Sequence, residues 1–126
     1  MKVWKEGGCH CGSIRFKVRS SFDRVLECNC SICFKKGYLH LIVPAADFRL
    51  LAGEEKLSLY QFNTKTAKHF FCSICGIAPY YVPRSHPDGF DVNLRCVEKI
   101  DWQRVKLEPF DGSRWEDSVP SIQGYS

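Results

Sequence analysis

The chain has 126 residues, 44% of them hydrophobic and 25% charged, which suits a globular domain able to bury a modest core. No apolar run approaches the roughly 20 residues that span a bilayer, so a membrane partner is not expected. The net charge of +4 is spread along the chain rather than clustered, which argues against nucleic acid as the main partner.

Residues 1–6 are polar and lack the apolar stretch of a secretion signal. An intracellular, reducing setting is therefore expected, cytoplasmic first and nuclear second. In such a setting eight cysteines suit metal ions better than disulfides.

Taken in order, Gly7, Gly8 and Gly12 bracket Cys9-His10-Cys11 and place this first pair in a tight turn. Residues 13–19 alternate apolar and polar, the period of a strand. Arg15, Lys17 and Arg19 then form its solvent face, a reading preferred to a phosphate-binding stripe. Residues 24–27 lead into Cys28-Asn29-Cys30-Ser31-Ile32-Cys33. Residues 38–43 are dense in aromatic and β-branched side chains and predict a buried strand. A single helical turn is expected over 44–48, with Pro44 at its first helical position. Residues 57–63 and 68–71 predict a hairpin around a polar turn, followed by Cys72-Ser73-Ile74-Cys75-Gly76. Strands are expected at 77–82 and 90–97, the second carrying Cys96, with a Pro-rich loop at 83–89 between them. From Pro109 the chain turns polar and predicts a loosely packed tail. No repeat or composition shift divides the chain, so one domain over 1–126 is expected, with its core at about 7–115.

The cysteines sort by their neighbours. Cys11 and Cys75 are each followed by glycine, which supplies the positive φ that a metal-binding knuckle often needs. Pairing Cys9 and Cys11 with Cys72 and Cys75 gives the four sulfurs of a closed structural Zn²⁺ site. Cys28, Cys30 and Cys33 remain as a local set for a second Zn²⁺. Spacing alone leaves a crossed pairing open, although the local set orders fewer residues per metal bond. Cys96 is either a small buried hydrophobe, the preferred reading, or the fourth ligand of the second ion. If it is a hydrophobe, three thiolates leave one tetrahedral position open, and an open position distinguishes a reactive zinc from a structural one. His40 and His69 fall in strand-like runs, where a core or surface role is preferred to ligation. Lys35 and Lys36, just after the triple cysteine, are either a solvated pair or a balance for an anionic substrate.

Four motifs carry a resemblance. Gly-Gly-Cys-His-Cys-Gly-Ser-Ile-Arg-Phe (7–16), Cys-Asn-Cys-Ser-Ile-Cys (28–33), Phe-Cys-Ser-Ile-Cys-Gly (71–76) and Asn-Leu-Arg-Cys (93–96) resemble, in the same order, the glutathione-dependent formaldehyde-activating enzyme family. That family also includes centromere protein V. The linking segments 42–51, 62–65, 83–87 and 110–116 look closer to the centromere protein. The resemblance implies a mainly β, zinc-pinned domain of the β-tent type with short helical turns. It implies a structural ion on Cys9, Cys11, Cys72 and Cys75, and a catalytic one on Cys28, Cys30 and Cys33. The implied reaction joins the glutathione thiol to formaldehyde, as a carbon–sulfur lyase does in reverse. The competing expectation is a non-catalytic zinc module that binds a protein or chromatin partner. Oligomeric state is not legible at this level.

Overall fold

The computed structural model describes residues 1–62, 65 and 67–112. The architecture is mainly β and consists of two sheets. The smaller sheet has β1 (Val3–Gly8), β2 (Arg15–Ser20) and β5 (Phe48–Ala52), with β2 in the middle and both pairings antiparallel. Phe16 and Val18 of β2 are fully buried, so the alternation of residues 13–19 has its expected sense. Two of the three intervening cations are ion-paired: Arg15 binds Glu98 at 2.9 Å and Arg19 binds Asp47 at 2.6 Å. β1 had no sequence signal of its own. It is an exposed ribbon whose Trp4 lies under the ammonium of Lys17 and the guanidinium of Arg19 at 4.9 and 5.0 Å.

The larger sheet begins with β3 (Arg24–Cys28) and β4 (Leu39–Pro44), which is buried from Leu39 to Val43. It continues through β6 (Leu57–Tyr60), β7 (Lys68–Cys72), β8 (Tyr80–Val82), β9 (Gly89–Asn93) and β10 (Lys106–Phe110). Its spatial order is β10-β3-β4-β9-β8-β7-β6. The expected hairpin is present as β6 and β7, with Leu57 opposite Cys72. Both sheets contribute to one core. Phe48 stacks on Phe16 at 5.6 Å and on Phe90 at 4.6 Å, and Leu41, Val43, Val92 and Leu94 complete it.

Several boundaries differ from expectation, each for a local reason. Pro44 ends β4 and only caps the 3-10 turn Ala45–Asp47, because its ψ of 160° is extended. The strand expected at 77–82 starts at Tyr80, because Ile77 is taken up by a knuckle: its carbonyl accepts from the Cys72 N–H at 2.9 Å. The strand expected at 90–97 stops at Asn93, whose side chain accepts from the Arg95 N–H at 3.1 Å and starts a 3-10 turn, so Cys96 is not in a strand. The loosely packed tail expected from Pro109 begins later. β10 pairs parallel with β3, placing Phe110 opposite Cys28, and Pro109 is tolerated because β10 is an edge strand. The part of that tail beyond Gly112 lies outside the described residues.

Candidate metal centres

Two turns carry the first cluster. Cys9 and Cys11 lie in the β1–β2 turn, Cys72 ends β7, and Cys75 lies in the turn that follows it. All four sulfurs lie within 4.8 Å of one another. The separations are 3.6 Å for Cys9–Cys11 and 3.7 Å for Cys11–Cys72. A four-coordinate ion with bonds of about 2.3 Å to sulfur gives edges of about 3.8 Å, so this set is already close to the geometry it would take around a metal. Backbone N–H groups face the sulfurs as expected: Ile14 donates to Cys9 at 3.4 Å and Ile74 to Cys72 at 3.4 Å. Gly12 and Gly76 have φ of 82° and 80°, and nothing stands within 4 Å of where a Cβ would be. They are required for their left-handed conformation, not for space. Burial pushes the Cys75 thiol up, but N–H groups of Ile77 and Cys11 and the neighbouring thiols outweigh it and bring it down to about 6.

The second cluster is built on α1 (Ser31–Lys36), a short helix that the sequence reading left unassigned. Its N-cap is Cys30, whose sulfur accepts from the Cys33 N–H at 3.4 Å, while the Cys30 N–H donates to Cys28 at 3.4 Å. Hydrogen bonds from Cys28 and then Cys33 hold the Cys30 thiol far below its ordinary range. The same contacts push the other two thiols up, Cys28 to about 11. Three clustered thiols of this kind are a donor set suited to a soft cation.

A cavity of about 480 Å³ opens on this cluster. Its lining includes Cys28, Cys30 and Cys33, with Leu26, Ile42 and Phe110 as an apolar wall. Arg84 and Ser85, from the loop at 83–89, line it as well. No residue of the first cluster does. Neither Lys35 nor Lys36 is among its lining residues; the Lys36 ammonium sits instead 3.4 Å from His69 Nδ1 and above the rings of Tyr38 and Tyr81. Burial, with Lys36 adding to it, pulls the His69 imidazole down to about 4.

Cys96 belongs to neither set. Its thiol packs against the main core and reaches the Ala78 carbonyl at 4.0 Å. Burial pushes it up to about 12, and the neighbouring charges are those of Cys9 and Cys75, so it stands on the side of the first cluster. It does not complete the second one.

Three residues at the second cluster carried no sequence signal as site residues. Cys28, Cys33 and His40 form a group whose donor atoms all lie within 4.8 Å; Cys30 is not one of that group. Asp91 binds His40 at 2.7 Å from 51 positions away, a pairing that only the β4–β9 register creates. Gly112 closes against the thiols. A Cβ there would stand 2.5 Å from Cys28 Sγ and 2.7 Å from Cys30 Cβ. Gly112→Ala is therefore expected to weaken metal binding at the second cluster at least about tenfold, with binding at the first cluster unchanged. Metal analysis after dialysis against a graded chelator measures both, and equal retention of the two ions would contradict the packing argument.

The glutathione-dependent formaldehyde-activating enzyme family's sequence profile matches residues 4–115. A protein of Halomonas elongata, whose name provisionally assigns it to the same enzyme family, is 39% identical across the aligned region. That alignment covers 84% of this chain and 83% of the relative. The crystal structure of a Rhodobacter sphaeroides protein superposes with a TM-score of 0.74 at 36% identity, covering 82% of this chain and 99% of that one. By its motifs, its two cysteine clusters and these matches, the chain belongs to the glutathione-dependent formaldehyde-activating enzyme family.

Proposed function

We propose that the chain joins a small thiol, glutathione first, to a small aldehyde such as formaldehyde, at a Zn²⁺ held by Cys28, Cys30 and Cys33, with a second, structural Zn²⁺ on Cys9, Cys11, Cys72 and Cys75. One observation supports this reading: Cys28, Cys30 and Cys33 line a cavity of about 480 Å³, within the size range of small-molecule sites. Zinc is the ion that suits these soft, sulfur-rich donors at four-coordinate spacing.

When bound, zinc supplies Lewis acidity, lowering the pKa of a thiol that reaches it so that the thiolate is available at neutral pH. The chain's own residues do the rest. Cys28, Cys30 and Cys33 fix where the substrate sulfur is presented, and the apolar wall of Leu26, Ile42 and Phe110 limits competing water. Arg84 and Ser85 place polar groups on the same cavity, where the polar ends of a thiol such as glutathione would lie. In the reaction a sulfur–carbon bond forms, the carbonyl π bond breaks, and the thiol proton ends on the former carbonyl oxygen. This gives a hydroxymethyl thioether. The reading fits a reducing intracellular compartment that holds free glutathione.

The experiment follows adduct formation by exchange NMR with glutathione and formaldehyde, using protein that carries both ions. The expected result is interconversion faster than the spontaneous reaction. A rate equal to the spontaneous one with both ions bound would overturn the assignment.

A further inference from the structure

The second cluster contains a histidine that the reading above does not use. His40 and Asp91 are 3% and 1% exposed and pair at 2.7 Å between Nδ1 and Oδ2. The ladder explains why they meet. His40 lies opposite Asn93 and Ile42 opposite Asp91, so His40 and Asp91 are diagonal neighbours on one face of β4 and β9. On the other side His40 lies opposite Leu26, two residues before Cys28 in β3. Tyr38 and Tyr81 frame the imidazole, with ring centroids at 4.7 and 5.9 Å.

With Nδ1 committed to Asp91, the available lone pair is at Nε2. That atom is buried and has no hydrogen-bond partner among the described residues. A buried polar atom left unpaired calls for an explanation. The ring is also one of three groups, with Cys28 and Cys33, whose donor atoms lie within 4.8 Å. A histidine whose second nitrogen is held by a carboxylate is the usual arrangement of a metal ligand, since the carboxylate fixes the tautomer and raises the basicity of the free nitrogen.

We propose that His40 is a nitrogen ligand of the second metal centre, positioned by Asp91, and that it fills the place left by the three thiols when no substrate is bound. This rests on the metal half of the proposed function. A substrate thiol then takes its place by exchanging with an imidazole rather than with water. Asp91 acts through His40 and is a positioning residue.

The test uses the full chain produced with Co²⁺ in place of Zn²⁺, so that no refolding is needed, and measures ions per chain, ligand-field absorption and X-ray absorption at the cobalt edge. Wild-type protein is expected to hold two ions and to show histidine scattering from one of them. His40→Gln is expected to lose that scattering, keep the all-sulfur absorption of the first ion, and bind the second at least about 100-fold more weakly; Asp91→Asn is expected to weaken it about 10- to 100-fold with the scattering retained. The first ion's absorption reports whether each variant has folded. Two ions in the wild type without histidine scattering, or a folded His40→Gln protein with an unchanged second ion, would overturn the proposal. One ion only, on the first cluster, would overturn both this proposal and the metal half of the proposed function. Histidine scattering in a protein without thiol–aldehyde turnover would overturn the proposed reaction alone.

Discussion

Cys72→Ser is expected to lower the thermal midpoint by at least about 10 °C and to abolish metal binding at the first cluster. Cys72 is fully buried at the end of β7 and accepts N–H groups from Ile74 and Cys75. Its sulfur joins β7, in the large sheet, to the β1–β2 turn, in the small one. A serine oxygen is shorter and is a poor ligand for an ion that three sulfurs hold, and without the metal it leaves buried N–H groups poorly paired. Structural zinc contributes folding free energy outright, on the order of 10–16 kcal/mol in zinc-finger peptides, against a total stability of about 5–15 kcal/mol for an ordinary domain. Even a third of that contribution, spread over a chain of this size at about 3–6 °C per kcal/mol, gives the stated fall. Circular dichroism melts with and without chelator measure it. A midpoint within about 5 °C of the wild type would show that the sheets hold together without this ion.

Cys30→Ser is expected to behave in the opposite way, keeping the fold and losing turnover at least about 100-fold. Cys30 caps α1 by accepting the Cys33 N–H, and serine is among the best residues for that task, so the helix keeps its start. What disappears is the sulfur that both neighbouring thiols stabilise as an anion. A metal at the second cluster would then lose one of three sulfur donors, whereas the first cluster keeps all four sulfurs. Turnover of glutathione and formaldehyde, read beside the melting curve, separates the two effects. Undiminished turnover in a folded Cys30→Ser protein would remove this cluster from the reaction.

How much of this was legible in the sequence depended on how local the determining contacts are. The knuckles were readable because Cys11-Gly12 and Cys75-Gly76 carry their own backbone requirement, and both glycines have the positive φ anticipated for them. β2 and the β6–β7 hairpin were readable from alternation and a polar turn. β1 and β10 were not, since each is a mixed polar stretch that becomes a strand only by pairing with β2 or β3. α1 was missed because six residues are too few to show a period, and a cysteine N-cap is not among the usual capping signals. His40 was expected in a core or surface role rather than as a ligand, and it is buried. Its link to Asp91 and its approach to Cys28 and Cys33 arise from strand register, which spacing in sequence does not encode.

The parallel pairing of β10 with β3 bears on how the protein is made. Asn29 and Asp111, which hydrogen-bond across that pairing at 3.0 Å, are 82 positions apart. At synthesis rates of about 5–20 residues per second, the strand that covers the triple cysteine emerges roughly 4–16 s after the thiols themselves. Over that interval Cys28, Cys30 and Cys33 meet the cell's oxidants and competing soft metals before Phe110 and Gly112 close over them. Early capture of a metal ion would protect these thiols, so the yield of intact protein should depend on zinc supply during translation as well as afterwards.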